Sequence, residues 1–376
     1  MASQVPSPLP TTMRAIIQTA PATSSVETVP IPQIEQGTAL VHVSASLVQS
    51  NLDNIYRAVL PHFRLPYPII PGSFSIGRIA ALAPDAAVLE VGQLVLVSTM
   101  IRARDDPNVG LVWGVMAGFT DAHTKLYDAM ALKGHYAEYV RAPLENVFAL
   151  DEARLFGSLG YTPGELVPLA ASFIVYNALR IIGVRAGEHV VVTPATGHYS
   201  SAAVDVAVAI GARVVAASRN AAGLAKLRAT YASQGLETVQ LTGDAAVDTA
   251  AMKSFGPVHA VLEVSPPAAT GSSNLAAAIA ALSHGGRIAL VGGRGDESIP
   301  VSYIQTMLNG LRIQGSWMYE RQDVEAVIQL TEAGLLKFGK KAGHETVYEF
   351  GLDQLEEAID TAVGKAGPGC VVYIKP

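Results

Sequence analysis

The sequence predicts an α/β protein in two parts, a β-rich region and a doubly wound parallel sheet, on three observations. With 376 residues, half of them apolar and 15% charged, the chain is long enough for two buried cores. From Met13 to about Leu150, short apolar runs ("MRAIIQ", "TALVHVSAS", "FSIGRIAAL", "GQLVLVS") are separated by Pro, Gly and Asp, the texture of a mostly antiparallel barrel or sandwich. From about Glu165 to Ser316, Ala/Leu-rich helical stretches alternate with strand-like runs, a rhythm that implies a parallel sheet covered by helices on both faces.

Taken in order, "MASQVPSPLPTT" has no basic segment followed by an apolar core, and reads as a short disordered tail rather than a secretory signal. The β-rich runs follow, interrupted by the long, aromatic-studded segment from Ile101 to Met130. Next come "EHVVVT", "ARVVAAS", "ETVQLT", "HAVLEV", "GRIALVGG" and "LRIQGSW", the strands expected of the parallel sheet. Two helices, "DVEAVIQLTEAG" and "LDQLEEAIDTAV", and a strand, "GCVVYIKP", close the chain. The expected domains are 1–164 with 317–376, and 165–316.

Several function classes drop out on composition. The net charge is −6 and no Lys/Arg cluster occurs, which argues against a nucleic-acid partner. Apolar runs such as "AAVDVAVAIGARVVAA" are broken by Asp205, Gly211 and Arg213 short of the ~20 residues that a membrane span needs. A cytoplasmic protein without membrane partners is expected. The single cysteine, Cys370, excludes intrachain disulfides and cysteine-rich zinc sites, and the nine histidines show no His-Glu-x-x-His motif or close pair, so no metal is expected.

In a doubly wound sheet, ligands bind at the carboxyl ends of the strands, and a pyrophosphate rests on the N-terminus of the helix after the first strand. That place is taken by "TPATGHYSSAA", starting at Thr193. On the G-x-G-x-x-G fingerprint it reads Ala195-x-Gly197-x-x-Ser200, keeping only the glycine whose missing side chain lets backbone amides approach a pyrophosphate. Thr196, Gly197, His198, Tyr199 and Ser200 are thus candidate cofactor-binding residues. A plain strand-to-helix turn with capping residues is the competing account of this loop. About twenty residues further on, where a NAD site places an acid for the ribose hydroxyls, stand Ser218, Arg219 and Asn220. No acid repels a 2′-phosphate there, and Arg219 offers a fork of donors, so NADP(H) is expected over NAD(H). Gly292 and Gly293, in "LVGGRG", are read as a close backbone approach to the nicotinamide half, with a simple Gly-Gly turn as the alternative.

The order of these parts, with "VGQLVLV", "GHYAEYV" and "GVRAGEHVVVTPATG", resembles the medium-chain dehydrogenase/reductase superfamily over essentially the whole chain. The resemblance implies a GroES-like catalytic domain, a Rossmann domain binding a nicotinamide cofactor, hydride transfer, and frequently a homodimer paired through its Rossmann sheets. In the zinc-dependent branch three side chains hold the catalytic metal; the corresponding positions here are Ser50, Ser73 and Ala170. The structural-zinc lobe is replaced by the segment from Ile101. The chain therefore resembles the zinc-free branch, which includes quinone oxidoreductases and enoyl reductases.

Without a Lewis acid, a substrate must be polarised by hydrogen bonds and protonated by a side chain or water, which favours conjugated acceptors. Tyr56 and His62 are the candidate polar groups, with Ser50 as an orienting hydroxyl; packing of Tyr56 and a solvated loop around His62 are the competing readings. Tyr67 reads as constrained wall and His135 as structural. Trp113, Met116, Phe119 and Tyr127 line a substrate pocket, make a dimer contact or form a surface cover. Trp317 and Tyr319 follow the last sheet strand and border the nicotinamide or substrate. The expected function is NADPH-dependent reduction of an activated C=C bond in a small-molecule substrate. Metal-free carbonyl reduction and a redox-silent binding role are the alternatives.

Overall fold

The computed structural model describes residues 9–60, 65–129, 134–295, 297–343 and 347–376. Most of the expected N-terminal tail, residues 1–8, lies outside the described residues. Two compact units divide the chain: residues up to 167 with 347–364 and 371–376, and residues 168–346 with 365–370.

The first unit opens on an antiparallel hairpin, β1 (Thr12–Ala20) and β2 (Thr23–Pro30). Alternation along β1 places Met13, Ala15 and the partly buried Ile17 in one core cluster, and Ile16 is buried on the opposite face. β3 (Thr38–Leu47), α1 (Leu52–Tyr56), β4 (Ser75–Leu82) and β5 (Leu94–Val97) follow. Then come the short hairpin β6 (Met100–Arg102) and β7 (Gly110–Val112), α2 (Asp121–Ala129), β8 (Tyr139–Pro143) and β9 (Val147–Ala149). β3 pairs antiparallel with β4 and β8, β4 with β5, and β5 with β9.

The segment from Ile101 is a cover for this sheet. Trp113 is completely buried in a core with Val41, Val97, Ile101, Leu111 and Val140, and Leu126 and Tyr127 of α2 pack against the same cluster. Met116 is buried too, while Phe119 stays 60% exposed. Gly114 has a φ of +69°, and a Cβ there would stand 1.9 Å from the carbonyl oxygen of Gly72, so only glycine lets the segment dock on the loop before β4.

The second unit contains α3 (Leu169–Ile181), β10 (His189–Thr193), α4 (His198–Ala209), β11 (Arg213–Ser218), α5 (Ala221–Thr230), β12 (Glu237–Gln240) and α6 (Ala245–Lys253). It continues through β13 (Val258–Glu263), α7 (Asn274–Ala281), β14 (Leu282–Leu290), α8 (Tyr303–Asn309), β15 (Arg312–Gly315) and α9 (Arg321–Glu332). Its six strands are all parallel in the order β12-β11-β10-β13-β14-β15. That is the Rossmann order, whose direction reverses between β10 and β13. All five residues of "HVVVT" are buried, as a central strand covered on both faces requires.

The chain then returns to the first unit with β16 (Val347–Phe350), α10 (Leu355–Gly364) and β17 (Val371–Ile374), which joins the sheet by pairing with β3. This boundary differs from the expected one, since residues 317–346 belong with the second unit rather than the first. The physical reason is α9, whose buried Asp323 accepts two bonds from Arg180 of α3, at 2.5 and 3.1 Å. Asn177 of α3 adds bonds to Ser316 Oγ (3.0 Å) and the Met318 carbonyl (2.9 Å). Among the described residues, no helix is long and apolar enough to cross a membrane.

Candidate functional site

At the carboxyl end of β10 the chain turns through Pro194, Ala195 and Thr196 into Gly197, the N-cap of α4. No side chain caps this helix, so the amides of its first turn remain available, and the helix dipole favours an anion at this end. Gly197 has φ −84° and ψ 176°, an extended conformation open to any residue. A Cβ built on it would meet nothing closer than Ser200 Oγ, at 3.1 Å. The chain itself therefore does not require glycine here. What the missing side chain preserves is the floor of a cavity of about 600 Å³, lined by Thr196, Gly197, Ser200, Ser218, Arg219 and Asn220 on one side.

The end of β11 supplies the cavity's polar rim. Ser218 is buried, and its hydroxyl shares a 2.7 Å hydrogen bond with that of Thr196. Asn220 caps α5, accepting from the amide of Gly223 at 3.0 Å. Arg219 is exposed and has no hydrogen-bond or ion-pair partner among the described residues.

The opposite wall was not foreseen in the sequence. It comes from the loops after β12 and β13: Leu241, Gly243, Pro266, Ala269 and the turn Gly271–Asn274, with Asp248 from α6. The signal that could have found it is the rule that such ligands lie outside the carboxyl ends of several strands at once. Both oxygens of the buried Asp248 are engaged: Oδ1 accepts from the amide and hydroxyl of Thr242, each at 2.8 Å, and Oδ2 from the amide of Gly243 at 3.2 Å.

Not every candidate lies on this cavity. Gly292 is required by the chain, because a Cβ would stand 2.4 and 2.5 Å from backbone atoms of Ser265, whereas Gly293 has room around it. The tight contact joins the ends of β13 and β14, where Glu263 is buried and its carboxyl is pushed above the usual range by that burial. Arg294 lies 3.7 Å from Glu263 and 2.6 Å from Glu297. His198 and Tyr199, in the first turn of α4, meet edge to face with ring centroids 5.1 Å apart, and neither lines the cavity. Burial lowers the His198 pKa to about 4, so the ring is neutral, and its Nε2 has no partner among the described residues. Burial, reinforced by Tyr319, pushes the Tyr199 phenol upward. Tyr319 packs edge-on against Phe173 at 5.3 Å, while Trp317 is 55% exposed.

In the first unit, Tyr56 is buried and its hydroxyl bonds to Ser24 at 2.9 Å, which ties α1 to the β1–β2 hairpin. Ser50 is half-buried in the turn after β3, next to Asn51, whose Oδ1 is buried without a partner among the described residues. His62 lies outside the described residues. His135 has the structural setting expected of it, bonded to Ser75 in the core. At the three sequence positions that the resemblance matches to metal ligands of the zinc-dependent branch stand Ser50, Ser73 and Ala170, none of which carries the imidazole, thiolate or carboxylate that Zn²⁺ prefers. Among the described residues, no group of three or more His, Cys, Asp or Glu is arranged to hold a metal ion.

A family model described as the alcohol dehydrogenase GroES-like domain matches residues 35–152, and one described as zinc-binding dehydrogenase matches residues 200–333. The chain belongs to the medium-chain dehydrogenase/reductase superfamily. Its medium-chain relatives include an alcohol dehydrogenase of Geobacillus stearothermophilus, 27% identical over 86% of this chain and 90% of that protein. An acryloyl-coenzyme A reductase of Sulfurisphaera tokodaii is 26% identical over the same shares. The fold also matches a Sinorhizobium meliloti 1021 protein, assigned as a zinc-binding dehydrogenase and solved bound to NADP, with a TM-score of 0.75 at 17% identity over 97% and 99% of the two chains. As a medium-chain enzyme, the chain is an oxidoreductase of a nucleotide-binding dehydrogenase family.

Proposed function

We propose that this medium-chain oxidoreductase is a zinc-independent, NADPH-dependent reductase of activated C=C bonds in enones, quinones or enoyl compounds. The observation that carries the cofactor reading is the unpartnered Arg219 on a cavity rim without a free carboxylate. Amides at the start of α4, beside Gly197 and Ser200, would hold the pyrophosphate, and Arg219 with Ser218 the 2′-phosphate. His198, Tyr199, Gly292, Gly293 and Trp317 belong to the same proposed site as its nicotinamide-side surroundings. Bound NADPH supplies a hydride, which with one proton from water or a side chain saturates the double bond.

The C=C reading is supported by the donor set at Ser50, Ser73 and Ala170, which offers no Lewis acid. Charge developing on a conjugated carbonyl can be met by hydrogen bonds alone. Ser50 is the favoured hydroxyl for that role, because that of Tyr56 is already engaged with Ser24; His62 completes the proposed set. The alcohol dehydrogenases among the relatives favour carbonyl reduction as the second reading.

A homodimer and a cytoplasmic location are part of the proposal. β15 is the edge of its sheet, and beside it α8 exposes Tyr303, Ile304, Met307 and Leu308, an apolar patch suited to a second copy. The one free thiol, Cys370, fits a reducing compartment.

Titration with NADPH and NADH, followed by quenching of tryptophan fluorescence, is the first test; binding of neither at millimolar concentration would end the reductase reading. Arg219→Ala should weaken NADPH far more than NADH, and equal losses would refute the 2′-phosphate role. With a conjugated enone, a saturated ketone supports C=C reduction and an allylic alcohol supports carbonyl reduction. Stoichiometric zinc by elemental analysis would overturn the zinc-independent assignment. Sedimentation of the wild type and an Ile304→Glu/Leu308→Glu variant tests the dimer, and a monomeric wild type would exclude it.

A further inference from the structure

Arg294 lies in the loop after β14; its side chain is only 8% exposed, and it does not line the cavity. A buried guanidinium brings five N–H donors fixed in one plane, and they need acceptors. Nε and Nη2 bond to Glu297 Oε1, at 3.0 and 2.6 Å. Nη1 bonds to Asn274 Oδ1 at 3.1 Å and has Ser265 Oγ and Ser272 Oγ at 3.4 Å, while Nη2 also reaches the Ser272 carbonyl at 3.4 Å. All three nitrogens are therefore engaged by the protein itself.

These partners converge on the turn Gly271–Asn274, which lines the cavity opposite Gly197, Ser218 and Arg219. Glu297 Oε2 accepts from the Gly271 amide at 2.7 Å, so Arg294 and Glu297 together grip the first and last residues of the turn. The Asn274 amide is fixed at both ends, because its Nδ2 donates to Ser265 Oγ at 3.0 Å. The loop that carries Arg294 is itself fastened to the end of β13: the Gly292 amide donates to the Glu263 carbonyl at 3.1 Å, and the Gly293 amide to that of Ser265 at 2.9 Å. The position of the sheet is thus passed through Arg294 to the cavity wall. Neutralising Glu297 and the nearby Glu263 would need only a positive charge; holding Glu297 and Asn274 at once needs a planar fork.

The cofactor reading above puts a pyrophosphate at the start of α4 and a ribose phosphate at Arg219, so the wall that faces them borders the adenosine half. Resting on that reading, we infer that Arg294 is a positioning residue for dinucleotide binding: from behind, its guanidinium holds the turn Gly271–Asn274 in place and so sets affinity for the adenosine half without touching the ligand.

The test compares the dissociation constants of ADP, NADPH and NADH, by isothermal calorimetry, for wild type, R294M and R294K, with melting temperatures to keep every titration on folded protein. R294M should weaken all three by a common factor of about ten, the scale of a lost hydrogen bond to a charged group, since all three share the adenosine half. R294K keeps a charge for Glu297 but not the fork, and should bind like R294M. A purely structural role would lower the melting temperature and leave the affinity of the folded protein where it was. Unchanged constants in R294M, R294K binding like wild type, or a loss for NADPH and NADH without one for ADP would each overturn the inference. Should R294M fail to fold, R294K decides alone. Where the wild type binds these nucleotides, such results sink the inference and spare the cofactor reading; a wild type that binds none of them sinks both.

Discussion

His135 Nδ1 lies 2.8 Å from Ser75 Oγ, and both residues are completely shut from solvent. Burial lowers the imidazole pKa from 6.5 to about 3, and His198 shifts the same way to about 4. Each folded-state value is below that of the unfolded chain, so unfolding takes up protons in acid. The stability that these groups contribute is fully present above about pH 6.5 and is lost as pH falls toward 4 and then 3, by about 1.4 kcal/mol per pH unit for each histidine. Asp205, its carboxyl raised by burial to about 7, titrates in the same range with the opposite sign, so the check is a difference: between pH 4.5 and 6.5, urea denaturation should show His135→Asn losing stability toward acid less steeply than wild type by one histidine's share. An unchanged slope in the variant would refute the assignment.

Trp113 fills the core beneath the segment from Ile101, whereas Phe119 of the same segment is mostly in water. Trp113→Ala should cost roughly 3–5 kcal/mol in chemical denaturation, against less than about 0.5 kcal/mol for Phe119→Ala. Comparable losses would mean that the segment does not act as a cover.

Two adjacent glycines should behave differently. Gly292→Ala drives a methyl group into the backbone of Ser265, so soluble yield and melting temperature should both fall; Gly293→Ala meets nothing closer than Pro267, at 3.8 Å, and should melt like wild type. Equal melting temperatures would contradict the close approach of β13 and β14.

Asp323 has no exposed side-chain surface; it accepts from Arg180 and also from the Glu320 amide at 2.8 Å in the capping box of α9. Arg180 is one-third exposed and can rehydrate when unpaired. Asp323→Ala should therefore destabilise the protein more than Arg180→Ala, by about 1–2 kcal/mol, because it removes the cap as well as the ion pair. The reverse order in thermal melts would show that the ion pair outweighs the cap.

Much of the second unit was legible in the sequence because its signals are local. The "HVVVT" run is buried along its whole length, and strand ends can be counted to Gly197 and Ser218. What escaped depends on partners far along the chain. Residues 317–346 join the second unit through Asp323 and Arg180, 143 positions apart. Tyr56 finds Ser24 across 32 positions, and no periodicity around "LDNIY" announces it. The aromatic content of the segment from Ile101 was plain, but only packing reveals that Trp113 turns inward and Phe119 outward. The cavity wall from Pro266 to Asn274 carries no familiar motif, and its role emerges only once β13 is seen beside β10.

The environments of Gly292 and Gly197 distinguish two kinds of obligation. A side chain added to Gly292 strikes the host's own backbone; one added to Gly197 enters space that the host leaves vacant. The first glycine is owed to the architecture; the second, on the proposed cofactor reading, is owed to a guest. On that reading Gly197→Ala should fold like wild type with a methyl group on the cavity floor, giving a blank against which the cofactor titrations of the intact protein can be read.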